Sequence, residues 1–415
     1  MYCIIRQSER SMSDDLLQHL MLDIDEEDEM EEDLIIILLS TELTMSNRHD
    51  PYFRARMRWA NYVSALDNEG PDAFYLVYRM HYGSFIKLCS FIENNVKKNN
   101  YFDPSVGVIT AEIALHCCLR WLAGGSYHDI RLVAGISRAT FYVYCHKVIR
   151  AINKSPSLSY NLPTTPQEIE VASEGFKSIS SHGVMEGCVA AIDGILLRTI
   201  TPPKKSVGHV KSFFSGHYYA YGLNILAACD HHCRFLYVAC QAPGGSNDIT
   251  AYRNSTLPSY VEELPISRFI VGDNAYVPSE HLLTPFSGND RLDPRLDAYN
   301  YYLSQARMRI EMSFGRLVNK FRIFKSPLQC SLKNAPRLFL CATRLHNFCI
   351  NEGQVVTPEE HEAEGQALLP PAYYHQQRGR SISGQSTLRE RVVEEVAAKG
   401  LFRPQHNIAR NNYGT

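Results

Sequence analysis

Residues 189–198 read VAAIDGILLR. Val189 to Ile192 have the composition of one buried β-strand, and Ile195, Leu196 and Leu197 continue it. Asp193 and Gly194 interrupt the apolar run. An ionised carboxylate inside such a strand loses its water, at a cost on the order of several kcal/mol unless something compensates. Asp-Gly is a favoured hairpin dipeptide, so one reading is a tight turn. The other is that the charge has a partner absent from the sequence, such as a metal ion.

Two further acidic anomalies bear on the choice. FIVGDNAY, residues 269–276, ends a short buried strand with Asp273 at its carboxyl edge. In α/β sheets, sites gather outside the carboxyl ends of strands. SQARMRIEMSFGRLVNKFRIF, residues 304–324, reads as a helix. Its residues Ile310, Phe314, Leu317, Phe321 and Phe324 recur at helical spacing and form one apolar stripe facing the sheet. Glu311 lies one residue, roughly 100°, from the start of that stripe, at its margin. Asp193, Asp273 and Glu311 can therefore converge. Three carboxylates close together repel, and each has a raised pKa unless cations neutralise them. Oxygen-only ligands favour hard cations, Mg²⁺ or Mn²⁺. Two such ions about 3.5–4 Å apart can activate a water or 3′-hydroxyl and stabilise the leaving oxygen of a phosphoryl displacement. Arg307, Arg309, Arg316, Lys320 and Arg322 surround Glu311 in sequence and are expected to hold a polyanion over the site.

The bulk composition suits this reading without demanding it. The chain has 415 residues, enough for two or three domains, with 45% hydrophobic and 21% charged residues. Net charge is −2, which predicts no polyanionic partner by itself, but its distribution is uneven. Residues 1–50 hold 14 acidic and 3 basic residues, whereas 291–346 hold 11 basic and 3 acidic. Such stretches attract opposite partners, or each other. No secretory signal is expected in MYCIIRQSER, and LIIILL (34–39) is far short of the ~20 residues of a membrane span. The 12 cysteines are scattered without a Cys-x-x-Cys pair, which suits a reducing intracellular compartment.

Along the chain, residues 1–50 read as an acidic disordered tail and 51–155 as helical. Within 110–152 three short helices are expected, the last beginning at the N-cap Ser137. The tight GIS turn before it gives a helix-turn-helix-like segment. In DNA-binding versions the last helix enters the major groove, where Arg138, Lys147 and Arg150 could meet phosphates; a plain structural bundle is the reading placed first. Residues 156–184 read as a linker. Residues 185–351 change to strands and then to alternating helix and strand, a mixed α/β layer. Residues 352–415 form a polar tail. CDHHC (229–233) lacks the second half-site that zinc needs and falls where two strands need a turn. Phe213, Phe214, Tyr218, Tyr219 and Tyr221 could stack on bases, although packing on the sheet is the simpler reading. PPKKS (202–206) is too short for a localisation cluster. LHNFC (345–349) reads as packing near a helix end.

At this point the residues reach a family. AIDG, YGLNILAACDHHCRFLYV, APGGSNDITAYRNS, VGDNAY, RIEMSFGRLVNKFRIF and LHNFC resemble, in the same order, the motifs of PIF/Harbinger transposases and Harbinger-derived nucleases. The resemblance covers roughly 185–351, and 75–152 is also similar to the N-terminal part of that family. It implies an RNase H-like fold, a mixed sheet flanked by helices, with its DDE triad on Asp193, Asp273 and Glu311. Asp248 in GGSND occupies another acidic position of the pattern, and is read as a helix cap or a supporting residue. Two departures stand out: Ile195-Leu196 replaces the family's Thr-His, and Ala275 replaces a glycine after Asp273. The resemblance further implies metal-dependent cleavage of duplex DNA, a nuclear location and a separate Myb-like DNA-binding partner. The alternative is a domesticated scaffold that binds DNA or protein without catalysis.

Overall fold

The computed structural model describes residues 56–97, 108–354 and 386–404. The expected acidic tail lies outside the described residues. VAAIDGILLR forms one unbroken strand, β1 (Cys188–Arg198), so the Asp-Gly pair is not a turn. The other strands are β2 (Phe214–Ser215), β3 (Ala220–Cys229), β4 (Phe235–Pro243), β5 (Phe269–Val271) and β6 (Leu282–Leu283). Their order is β2–β3–β1–β5–β6, with β4 also pairing β3. The sheet is mixed: β1 runs antiparallel to β3 and parallel to β5, and β5 runs parallel to β6.

Alternation along β1 and β3 assigns each side chain to a face. Ala191, Ile195 and Leu197, with Ile225 and Ala227, enter the larger core. Ile192, Leu226 and Ala228 enter a second core with Ile169, Ala172, Leu257 and Val261. Asp193 is paired with Ala227 and therefore points toward the larger core.

That side is covered by α10 (Pro294–Lys320), which contacts β1, β3 and β5. Ile310, Phe314 and Leu317 are fully buried along it, as the apolar stripe requires. Beside it runs α11 (Asn334–Asn351), held to the β3–β4 turn by two residues of the LHNFC motif. His346 Nε2 donates to the Cys233 carbonyl at 2.8 Å. Asn347 pairs with both backbone groups of Phe235, at 2.8 and 2.7 Å. CDHHC is that turn: Asp230 Oδ1 accepts from the backbone N–H groups of His232 and Arg234.

Among the described residues, six helices lie before residue 155: α1 (Trp59–Glu69), α2 (Ala73–Tyr78), α3 (Tyr82–Lys97), α4 (Ala111–Leu122), α5 (Tyr127–Ala134) and α6 (Arg138–Lys154). Ser137 caps α6 as expected, accepting from the Thr140 N–H at 3.1 Å. However, α6 is wedged among α3, α4 and α11, and no residue from Ala139 to Asn153 is exposed. A helix that reads a groove needs an open face. This one buries Phe141, Cys145, Val148 and Ile152 in the core shared with the sheet. Arg138 lies over the Tyr127 ring and Lys147 over Tyr144, and Arg150 is half-buried. The bundle reading is the one the packing supports.

Two segments differ from expectation. The supposed linker contains α7 (Pro166–Ile179), which packs on β1 through Ile169 and Ala172. Its capping box is complete, with Thr165 Oγ1 accepting from Glu168 N–H and Glu168 Oε2 accepting from Thr165 N–H. The supposed polar tail contains α12 (Thr387–Ala398), which packs on α10 through Leu388, Val392 and Val396. Two short helices, α8 (Asp248–Arg253) and α9 (Leu257–Glu262), lie between β4 and β5. Among the described residues, no helix is long and apolar enough to cross a membrane, and the cysteines are free thiols.

Burial sets a pH dependence. His116, 2.7 Å from the Tyr78 hydroxyl, and His346 are both buried, which pushes each imidazole down to about 3. Each must stay neutral to remain folded, so its stabilisation is complete above the unfolded value of about 6.5 and fades as pH falls toward about 3. Between pH 7 and pH 5 each histidine is expected to remove about 2 kcal/mol. Urea unfolding of His116→Gln and His346→Gln should show a shallower loss than the wild-type protein; parallel curves would contradict it.

Candidate active site

The site is built by strand register. β1 and β5 are parallel, and their last paired residues are Ala191 and Val271. Two residues further on come Asp193, still within β1, and Asp273, just past the end of β5, so the register brings the two aspartates toward each other. Asp193 is buried, 5% exposed, and its Oδ1 accepts from the Gly194 N–H at 2.8 Å. Asp273 Oδ1 accepts from the Ala275 N–H at 2.9 Å, in a turn just past β5. Glu311 stands on α10 at the margin of the buried stripe, its side chain 37% exposed.

Electrostatics record the same convergence. Burial raises the Asp193 carboxyl well above its ordinary value, and the charges of Asp273, Asp248 and Glu311 raise it further. Burial also raises Asp273, against the pull of Arg307 and the Ala275 N–H. Glu311 is raised by burial and by Asp273, and lowered by Arg307. Arg307 is therefore the cation common to all three. It lies one helical turn before Glu311, with Nη2 3.5 Å from Glu311 Oε1.

The other basic residues of α10 do not join it. Arg309, Arg316 and Lys320 follow another stripe of the helix, where their charges act on Cys233 or His346 of the β3–β4 turn and α11. Arg322 lies past the end of α10, where Gly124 leaves room for it. The expected cationic cover over Glu311 thus reduces to Arg307. Sequence adjacency suggested more, but a turn of 3.6 residues disperses neighbours around the helix.

Asp248 is closer to the site than its sequence context implied. Asn247 caps α8, accepting from the Thr250 N–H at 3.0 Å. This leaves the Asp248 carboxylate to accept from Asn224 Nδ2 at 2.9 Å. It presses on β1 from the other side: a Cβ on Gly194 would stand 2.4 Å from Asp248 Oδ1. Gly194 is thus needed for close approach rather than for a turn. Burial raises the Asp248 carboxyl, Asn224 and His217 lower it, and Asp273 raises it. Tyr276 was not singled out by sequence reasoning, although it stands in the quoted VGDNAY. Its ring is buried against Gly272, and its hydroxyl makes no hydrogen bond among the described residues. The charges of Asp248, Asp193 and Asp273 all act on that hydroxyl.

All the acidic donors are hard oxygens, the chemistry that suits a divalent cation such as Mg²⁺ or Mn²⁺. As the side chains stand, no group of three or more His, Cys, Asp or Glu among the described residues is gathered closely enough to hold a metal ion. Arg307 supplies the positive charge instead.

Residues 192–347 match the model of the DDE superfamily endonuclease family, a span that contains Asp193, Asp248, Asp273 and Glu311. The stretch carries a DDE superfamily endonuclease domain, which bears out the resemblance read from its motifs. The chain is also similar to Protein ALP1-like of Arabidopsis thaliana, at 24% identity over 303 residues, covering 68% of this chain and 71% of that one. No solved structure matches it.

If Arg307 offsets the carboxylates, its removal leaves them uncompensated. Arg307→Gln should lower stability by about 1–2 kcal/mol at pH 7.5, less than for a fully buried pair because Glu311 is partly exposed. The raised carboxyls take up protons as pH falls, so the deficit should shrink toward pH 5. Thermal melts of both proteins at the two pH values check this. A deficit independent of pH would assign Arg307 to packing alone.

Proposed function

We propose that the mixed sheet and its helices form an RNase H-like DDE domain that cleaves phosphodiester bonds in duplex DNA. Asp193, Asp273 and Glu311 would hold the divalent cations, and rejoining of the freed 3′ end would make the protein a transposase. The observation that carries this reading is the pairing of β1 with β5, which sets two aspartates at matching positions under a helix-borne glutamate. The strand arrangement supports it, with antiparallel β3 and β4 on one side of β1 and parallel β5 and β6 on the other.

When bound, a divalent cation would supply the charge that activates a water or 3′-hydroxyl and stabilises the leaving oxygen. The chain's own contribution is positional. The β1 register fixes Asp193, and the turn after β5 fixes Asp273 through its bond to Ala275. Glu311 reaches in from the exposed margin of α10, the side from which a substrate can approach. Arg307 is placed to favour a phosphate once cations take over the carboxylates. Asp248 lies against Gly194 on the opposite face of β1. The Harbinger resemblance adds a nuclear location and a separate Myb-like protein as the DNA-binding partner.

A second reading is a domesticated scaffold that binds DNA or protein without cutting. The Arg307–Glu311 pair favours it, because a carboxylate already paired to arginine is a weaker cation ligand.

Supercoiled plasmid DNA avoids the need for a known target. With Mg²⁺ or Mn²⁺ the wild-type protein should nick it. Asp193→Asn and Asp273→Asn should lose about 10²–10³-fold or more in rate while melting no lower, since a buried charge has been removed. Cleavage by Asp193→Asn at the wild-type rate would remove that residue from the mechanism. DNA binding without cleavage by the wild-type protein would leave the scaffold.

A further inference from the structure

The 21 residues between β1 and β3, 199–219, are longer than a strand connection needs. They carry Lys204, Lys205, His209, Lys211 and His217, all exposed. They also carry aromatic side chains whose fates differ. Phe214 packs edge-on against Tyr221 at 5.2 Å where β2 pairs with β3. Phe213 packs against the core, and Tyr218 sits edge-on to His217 at 4.7 Å. Tyr219 does neither: it is 84% exposed.

Its backbone is as unusual as its exposure. Tyr219 has φ of 49°, in the left-handed region that side chains other than glycine rarely adopt. Strained residues of this kind persist only where the surroundings enforce them, and they gather at functional sites. The enforcement here is the β2–β3 pairing, in which Ser215 is matched with Ala220 immediately after Tyr219.

The loop is anchored to the segment that carries Asp248. The Gly245 N–H donates to the Ser212 carbonyl at 2.8 Å. Gly244 and Gly245 lie against the backbone of Phe213 and Phe214, so closely that a Cβ on either would collide. Three residues beyond Gly245 is Asp248, whose carboxylate touches the Gly194 position beside Asp193. His217 is near enough to act on that same carboxylate.

We propose that the 199–219 loop is a DNA-strand clamp beyond the edge of the site, with Lys204, Lys205 and Lys211 on the phosphates and Tyr219 stacked on an unstacked base several nucleotides from the cut. The inference rests on the nuclease reading and goes past it, by naming the substrate feature recognised: a duplex opened locally several nucleotides from the scissile bond. Aromatic stacking is indifferent to sequence, because every base offers a π-face. The lysines contribute the salt-dependent part of binding, again without reading sequence. Such a loop would select the opened state of DNA, and would leave the choice of target to another surface or protein.

The test uses the full chain and two probes of random sequence, a blunt duplex and a forked duplex with one unpaired arm carrying 2-aminopurine at the fork. The wild-type protein should bind the fork more tightly and quench the 2-aminopurine. Tyr219→Ala should lose quenching and about 5- to 100-fold of fork affinity, and Tyr219→Trp should restore both. The triple variant Lys204→Ala/Lys205→Ala/Lys211→Ala should weaken both probes and flatten the salt dependence by about 2–3 in log–log slope. Wild-type binding with no fork preference, or a fork preference kept by Tyr219→Ala, overturns the clamp and leaves the nuclease reading standing. Failure of the wild-type protein to bind or nick DNA overturns both.

Discussion

The structure depends on one unfavourable placement: an aspartate in the middle of a buried strand. Asp193 lies among Ala191, Ile195 and Ala227, on the face of the sheet that α10 covers. Left alone, such a carboxylate would rather be protonated. What surrounds it makes the problem larger, since Asp273, Asp248 and Glu311 add like charge from three other elements. Evolution of a stable fold alone would have replaced such a group with an apolar one, because a buried charge is weak evidence for stability. The cluster is therefore best understood as a site that tolerates strain until positive charge arrives. Arg307 provides part of that charge from within the chain.

The elements around the cluster make sense in this light. β1 is held on both sides, by antiparallel β3 and parallel β5, so its register cannot slip and Asp193 cannot leave the core face. α10 is fixed by its apolar stripe and by α12 packed along it. α11 ties the far end of the sheet through His346 and Asn347. The helices before the sheet do not form a separate body. α6 contributes to the same core as Phe314 and Leu345, so the helical region buttresses the site.

Much of this was legible in the sequence. The buried strands, the stripe on α10 and the three carboxylates were marked by periodicity and by acidic residues where none belongs. The fate of the Asp-Gly pair was not, because the same dipeptide serves a hairpin and a close approach. The unbroken course of β1 and the Asp248 carboxylate against Gly194 separate the two. The basic residues of α10 were overcounted, since adjacency in sequence says little about which helical stripe a residue joins. α7 was missed even though Thr165, Pro166 and Glu168 spell a capping box, because the preceding proline- and serine-rich run dominated the reading. Tyr219 was grouped with four packing aromatics. Its exposure follows from a left-handed backbone angle that no pattern of residue types announces.

On this reading Asp193, Asp273 and Glu311 form a cation site. Titrating Mn²⁺ into the purified chain by calorimetry, wild type against Asp193→Asn, tests it without a known DNA target or partner protein. Saturable binding to the wild-type protein, alone or with duplex DNA present, is expected, and its loss in the variant. Identical heats for the two proteins under both conditions would contradict it.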